Sequence, residues 1–355
     1  MITVVMTNII AVIIASLTRS TNSVLYLRVS FYIIFMLQAL RYYYGNDYSE
    51  YIDLFANVNA LQSLFGPDND LHMEPGWCVL CRVFKPFGFY IMVSSIALFN
   101  CSVTYRFIRK YVDCEWQWFA VLYYVFSPNI MLIHLSAMRQ SLAVSLFMIS
   151  IDYIVKRDAI RYVICIAIAS CFHLSALILL PVYALTYLDK KLSRTNIVSI
   201  FMMYVSLFVV IDKLMEKFGA ILIENIEYFS TYADVAETSI GMGVLLYSLL
   251  LLLILVYIDK FSRDGVVLSK IAIWYIIVIP FGLYMSMLNR IGFYFAPLML
   301  TVLPMLFVKI EKIIYRRILV MTVAVHTVYS SMQFMTSETY SEYYGVYKTI
   351  FSLLY

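Results

Sequence analysis

The chain has 355 residues, of which 63% are apolar and only 14% charged, with a net charge of +4. A soluble domain carries roughly a quarter charged residues, so this composition excludes a polar surface over a chain of this length. Hydrocarbon is the solvent that tolerates so few charges, and the expectation is an all-α, polytopic integral membrane protein.

Apolar stretches long enough for a bilayer core of about 30 Å predict ten full spans. They fall at 3–18, 24–40, 87–105, 115–134, 140–155, 196–212, 240–258, 267–288, 291–308 and 318–336. The first has no basic segment ahead of it and is followed by Arg19, which predicts an uncleaved span with its N-terminus outside. Between the second and third spans lies a long outer loop, 41–86. It begins Arg41-Tyr42-Tyr43-Tyr44-Gly45-Asn46-Asp47 and continues through Asp68-Asn69-Asp70 to Glu74-Pro75-Gly76-Trp77. Tyrosines at this depth form an interfacial belt and also stack on sugar rings. From Glu74 to Lys85, apolar residues alternate with Arg82 and Lys85 in a pattern that suits a helix lying in the interface. Cys78 and Cys81 have no second pair to complete a metal site and read as small apolar filler.

Arg139 stands between the spans 115–134 and 140–155, at the outer membrane edge. The apolar segment 162–188 that follows makes about 40 Å of helix at 1.5 Å per residue, too little for two crossings. It reads as a broken or re-entrant hairpin with Phe172-His173 at its outer tip; the alternative is one long tilted span. A second outer loop is expected at 213–239, and an outer tail at 337–355, on what reads as a single membrane domain over 1–355. Asn289-Arg290 marks the outer end of another span. No phosphate-binding glycine loop occurs, and no loop is large enough for a cytosolic nucleotide-sugar domain.

The short loops sort by charge. With a re-entrant 162–188, one side holds 18 of the 26 Lys and Arg and 8 of the 22 Asp and Glu. That basic side is cytoplasmic by the positive-inside rule, and both termini fall outside. A charge in hydrocarbon costs at least about 2.5–3.5 kcal/mol, so Arg139, Arg290 and His173 stand out as outer-edge residues with a partner or a task. Arginine's planar fork suits phosphate, although span-end arginines also snorkel to headgroups. Histidine can take a proton near neutral pH. His134 and His326 read as satisfied within the bundle, and His72 as a loop residue.

These residues also carry a resemblance. Arg41-x3-Gly45-x-Asp47-x3-Tyr51, Glu74-Pro75-Gly76-Trp77, Met138-Arg139-Gln140-Ser141-Leu142-Ala143, Ala169-x2-Phe172-His173-Leu174-Ser175-Ala176-Leu177 with Pro181, and Asn289-Arg290-x3-Tyr294-Phe295 follow in order. Together they resemble the EpsG family, related to the Wzy-type polymerases of bacterial surface polysaccharides. The resemblance implies a GT-C-like glycosyltransferase of the bacterial cytoplasmic membrane, active on its outer face. It would polymerise oligosaccharide units carried on undecaprenyl diphosphate. In that role Arg139 and Arg290 would bind the diphosphate, and His173 would be the base or hydroxyl positioner, with Asp47 or Glu74 as rivals. Arg41 would assist at the rim, and Gln140 and Tyr294 would contact substrate. No metal or other cofactor is required where two arginines are present. The implied partners are the lipid-linked oligosaccharide and the membrane, with a chain-length regulator as a further candidate; nothing calls for nucleic acid. A flippase for the same lipid, or a ligase of the same fold, would use the same residues.

Overall fold

The structure, a computed structural model, describes residues 1–58, 73–187, 192–225, 241–284 and 288–353. They are predominantly helical, and they pack as two compact units, Met1–Tyr183 with Ala324–Tyr355, and Ala184–Val323.

The first unit opens with a helical hairpin, α1 (Ile2–Thr21) and α2 (Val24–Ala39). Asn22 ends α1 in the left-handed conformation at φ 51°, as a short polar side chain permits. Ser23 Oγ then accepts the Leu25 N–H to cap α2. After α2 comes a two-residue strand, β1 (Arg41–Tyr42), paired antiparallel with β2 (Lys348–Thr349) from the tail. The Met1 amino group donates to the Gly345 carbonyl, and the Ile350 N–H to that of Leu40. The first residue, the tail and the segment after α2 thus meet at one end of this unit.

The loop itself folds into α3 (Tyr48–Asn57) and α4 (Pro75–Phe84), with Trp77, Cys78 and Cys81 of α4 buried. Asp68-Asn69-Asp70 and His72 lie outside the described residues. Next comes α5 (Phe89–Tyr111), then α6 (Gln117–Phe126), a π-helical turn over Pro128–Leu132, and α7 (Ile133–Leu135). The span expected at 115–134 is therefore not straight: it bends by 62°. Pro128 has no N–H to continue α6, and it holds Ser127 extended at ψ 118°. Beyond the bend stands α8 (Met138–Val155), parallel to α5. Asn100 of α5 donates to Ser141 Oγ at 3.0 Å and accepts from Ser145 at 2.7 Å. Further along both helices Tyr111 donates to Asp152 at 2.6 Å.

The segment expected to be broken is broken. Helix α9 (Ala159–Ser170) stops at Cys171–His173, and the chain returns as a 3-10 stretch over Leu174–Tyr187. Tyr162 near the start of α9 donates to Leu179 O at 2.5 Å and stacks obliquely on Tyr183. The return limb therefore runs antiparallel to α9.

The second unit contains α10 (Arg194–Asn225), α11 (Met242–Tyr257), α12 (Arg263–Tyr284), α13 (Asn289–Phe295) and α14 (Met299–Lys309). Helix α15 (Ile313–Thr336) crosses from it into the first unit, which ends with α16 (Ser341–Tyr344). Helix α10 is longer than expected, so the backbone from 213 to 225 is helix rather than loop; residues 226–240 lie outside the described set.

Seven described helices are long and apolar enough to cross a membrane, and an eighth crossing arises if the bent pair counts as one. The expected spans 24–40 and 196–212 fall on shorter apolar stretches, Val24–Ala39 and Arg194–Phe208. At 16 residues α2 measures about 24 Å, less than the hydrocarbon core.

Candidate active site at Glu74

Three separate motifs converge on the Glu74 carboxylate. Its Oε2 lies 2.7 Å from Arg139 Nη1, and its Oε1 lies 3.3 Å from His173 Nδ1. Each partner is placed by a break in the helical pattern. Glu74 precedes Pro75, which occupies the first turn of α4, where a missing N–H costs nothing. Arg139 sits in the first turn of α8, just past the bend. His173 occupies the break between α9 and its return limb.

Backbone contacts fix the meeting of α4 with that break. The Gly76 N–H donates to Cys171 O at 2.8 Å, and a Cβ on Gly76 would lie 2.6 Å from the same oxygen. Only glycine permits this approach. On the other side, Gly45 adopts φ +124°, and a Cβ there would lie 2.4 Å from Leu135 O. The segment after α2 thereby seats itself against the turn that leads into Arg139. Ser136 in that turn donates to Asn46 Oδ1 at 2.6 Å, and Tyr344 from the tail donates to the same oxygen at 3.1 Å.

The electrostatics follow from burial with compensation. Arg139, at the N-terminus of α8, is a cation at the positive end of a helix dipole, and Glu74 offsets that. Burial pushes the Glu74 carboxyl upward, but the His173 hydrogen bond and the Arg139 charge outweigh it and hold the group at about 2. A carboxylate held that low is a weak proton acceptor at physiological pH, which argues against Glu74 as the base. It orients His173 through Nδ1 and leaves Nε2 as the ring atom not engaged by it. Tyr51 and Trp77 wall the site, with ring centroids 5.0 Å apart. The Arg139 guanidinium lies 5.9 Å from the Tyr51 ring. Two buried donors here, Arg139 Nε and Trp77 Nε1, find no hydrogen-bond partner among the described residues.

Arg41 is not at a rim. It is 1% exposed, donating to Gln38 O at 2.5 Å and to His134 O at 3.5 Å. Those carbonyls close α2 and α7, whose last carbonyls lack helical partners and carry the negative end of each dipole. Its guanidinium also lies 5.7 Å from the Tyr48 ring. Arg41 therefore joins two helix ends rather than facing a substrate. His134 beside it pairs with Tyr124 OH at 2.9 Å through Nδ1, while its buried Nε2 finds no partner among the described residues. Asp47 precedes α3 and accepts from the Asn46 side chain at 2.5 Å. Gln140 is buried in α8 beside Arg139.

Arg290 and Tyr294 belong to the second unit. Arg290 is half-buried in the first turn of α13, and Tyr294 is fully buried. Asn289 donates to Gly282 O at 3.2 Å, across a position where any Cβ would overlap it.

Tyr51 and Trp77 were not singled out from the sequence as site residues. Their presence in two of the converging motifs was the available signal, masked because aromatics at this depth also form belts. Among the described residues no three His, Cys, Asp or Glu side chains cluster.

A multi-helix membrane protein with a partly buried acid–histidine–arginine cluster is the class these features define. The family profile matches residues 24–349, and the chain belongs to the EpsG family, whose members are membrane proteins related to Wzy-like polysaccharide polymerases. It is accordingly a membrane protein of polysaccharide biosynthesis. No curated protein and no solved structure matches it.

Proposed function

We propose that the chain is a membrane-embedded glycosyltransferase that polymerises undecaprenyl-diphosphate-linked oligosaccharide units on the outer face of the bacterial cytoplasmic membrane. Family membership supports the class of reaction. The single observation that supports the site is the Glu74 carboxylate holding Arg139 on one oxygen and His173 on the other.

In the proposed step an acceptor sugar hydroxyl attacks the anomeric carbon of the donor glycan. A new C–O bond forms, and the bond to diphosphate breaks with its electron pair leaving on the lipid diphosphate. His173 Nε2 takes the hydroxyl proton, and the Glu74 carboxylate stabilises the resulting imidazolium, as carboxylates do behind catalytic histidines. Arg139 and the N-terminus of α8 supply positive charge where the leaving diphosphate gathers negative charge. Arg290 is proposed as a second phosphate ligand on its residue type.

The test is direct. Purified protein is incubated with a lipid-diphosphate-linked repeat unit and the glycans are sized. A ladder that persists with EDTA, and collapses in Arg139→Ala and His173→Ala, is the expected result. Transbilayer movement of the lipid without a ladder overturns the reading in favour of a flippase. Transfer of a single block to another acceptor makes it a ligase.

A further inference from the structure

A second candidate site lies about 20 Å along α8 from Arg139, thirteen residues at 1.5 Å each. Between the parallel helices α5 and α8 runs a groove of about 500 Å³. Its floor and walls are apolar: Leu98, Phe99, Val103, Phe107, Met148 and Ile149. Beside it, small polar contacts from Asn100 to Ser141 and Ser145 hold the two helices together. The α5 residues recur every three or four positions from Ser95 to Lys110, one continuous face about 22 Å long.

One end of the groove is charged. Arg106 and Lys110 line it there, with Tyr111 and Asp152. Asp152 neutralises Lys110 at 2.6 Å and accepts from Tyr111 at 2.6 Å. The Arg106 charge is not paired by that acid, and its side chain is exposed. Helix α5 has 23 residues, about 34 Å, which puts its last turns at headgroup level when it spans. An apolar trough ending in a guanidinium that no acid among the described residues neutralises has the complementarity of a lipid acyl chain attached to a phosphate.

We infer that the α5–α8 groove is a binding site for an anionic phospholipid, its acyl chain lying along Leu98, Phe99, Val103 and Phe107 and its phosphate on Arg106. Such a lipid would fill the space between two helices of which one carries Arg139, and so would brace the pair from the side away from the Glu74 cluster. This inference does not depend on the proposed polymerase reaction.

Native mass spectrometry of the purified full-length protein tests it, with phosphatidylglycerol and a phosphatidylcholine of the same chains added in equal amounts. Wild type is expected to retain phosphatidylglycerol about fivefold better, the scale of one cation at a membrane surface. That preference should fall to about one in Arg106→Ala and persist in Arg109→Ala, whose residue is adjacent but does not line the groove. Ile149→Trp, which fills the trough, should lower retention of both lipids. Equal retention of the two lipids by wild type would mean annular lipid only and overturn the site. Equal losses in the Arg106 and Arg109 variants would also overturn it, in favour of diffuse surface charge.

Discussion

Glu74 and His173, ninety-nine positions apart, face each other at 3.3 Å from Oε1 to Nδ1. Because the other oxygen of Glu74 is occupied by Arg139, one carboxylate sets the position of both groups that the proposed reaction needs.

Replacing Glu74 with Gln keeps the shape and removes the charge. Glycan polymerisation should fall by about 100-fold, since His173 loses the anion behind its proton-accepting nitrogen. The fold should also weaken, by about 2 kcal/mol, because Arg139 is left partly buried without its acid. Product sizing and a thermal melt in detergent read the two effects separately. An E74Q protein with an undiminished ladder would remove Glu74 from the mechanism.

The same carboxyl makes stability depend on pH. Its folded value of about 2 lies below its ordinary 4.5, so the stabilisation is complete above about pH 4.5. It is lost as pH falls through that value toward 2. The melting midpoint of wild type should therefore exceed that of E74Q at pH 7, with the gap narrowing steadily below pH 4.5. A gap that widens on acidification would contradict the assignment.

Arg41 and Arg139 should part company when each is changed to Met. R41M should lose about 3 kcal/mol or more of stability, because carbonyls at two helix ends lose their shared donor. Lys at position 41 should not restore it, since a point charge on one stem cannot reproduce the fork. R139M breaks the same ion pair as E74Q and should cost a similar amount, about 2 kcal/mol and less than R41M, yet abolish the ladder. Identical behaviour of the two variants would undo the distinction drawn between them.

Gly76→Ala is expected to cost about 1–3 kcal/mol through overpacking, as its Cβ would sit 2.6 Å from Cys171 O. The break carrying His173 must then shift, and activity should drop with stability. Gly241→Ala, where a Cβ meets nothing within 4 Å, serves as the control and should change neither.

The membrane-spanning helices were legible because their determinant is local. A run such as 242–257 is apolar on every side and needs no knowledge of its neighbours to be placed in hydrocarbon. The break in 162–188 was legible too, since its length falls short of two crossings and the sorting of basic loops puts both its ends on one side. The bend at Ser127-Pro128 was passed over, although the proline within an apolar run was its signal.

The candidate site divides in the same way. Arg139 and His173 stood out in the sequence because charge and polarity at a membrane edge need an explanation whatever surrounds them. Whether two such groups meet, and through what, depends on how distant backbone segments dock. Gly76 against Cys171 and Gly45 against Leu135 are contacts between residues far apart in the chain, and no local pattern encodes them. Arg41 shows the cost of that blindness: its outer-loop position suggested a rim, while packing buried it against two helix ends.

For this protein, then, composition and hydropathy alone dictate a helical chain living in lipid, because transfer of each side chain from water is a property of that side chain. The roles of Glu74, Arg139 and Arg41 come from folding, because a carboxylate's ionisation and an arginine's task are properties of what stands within a few ångströms of them.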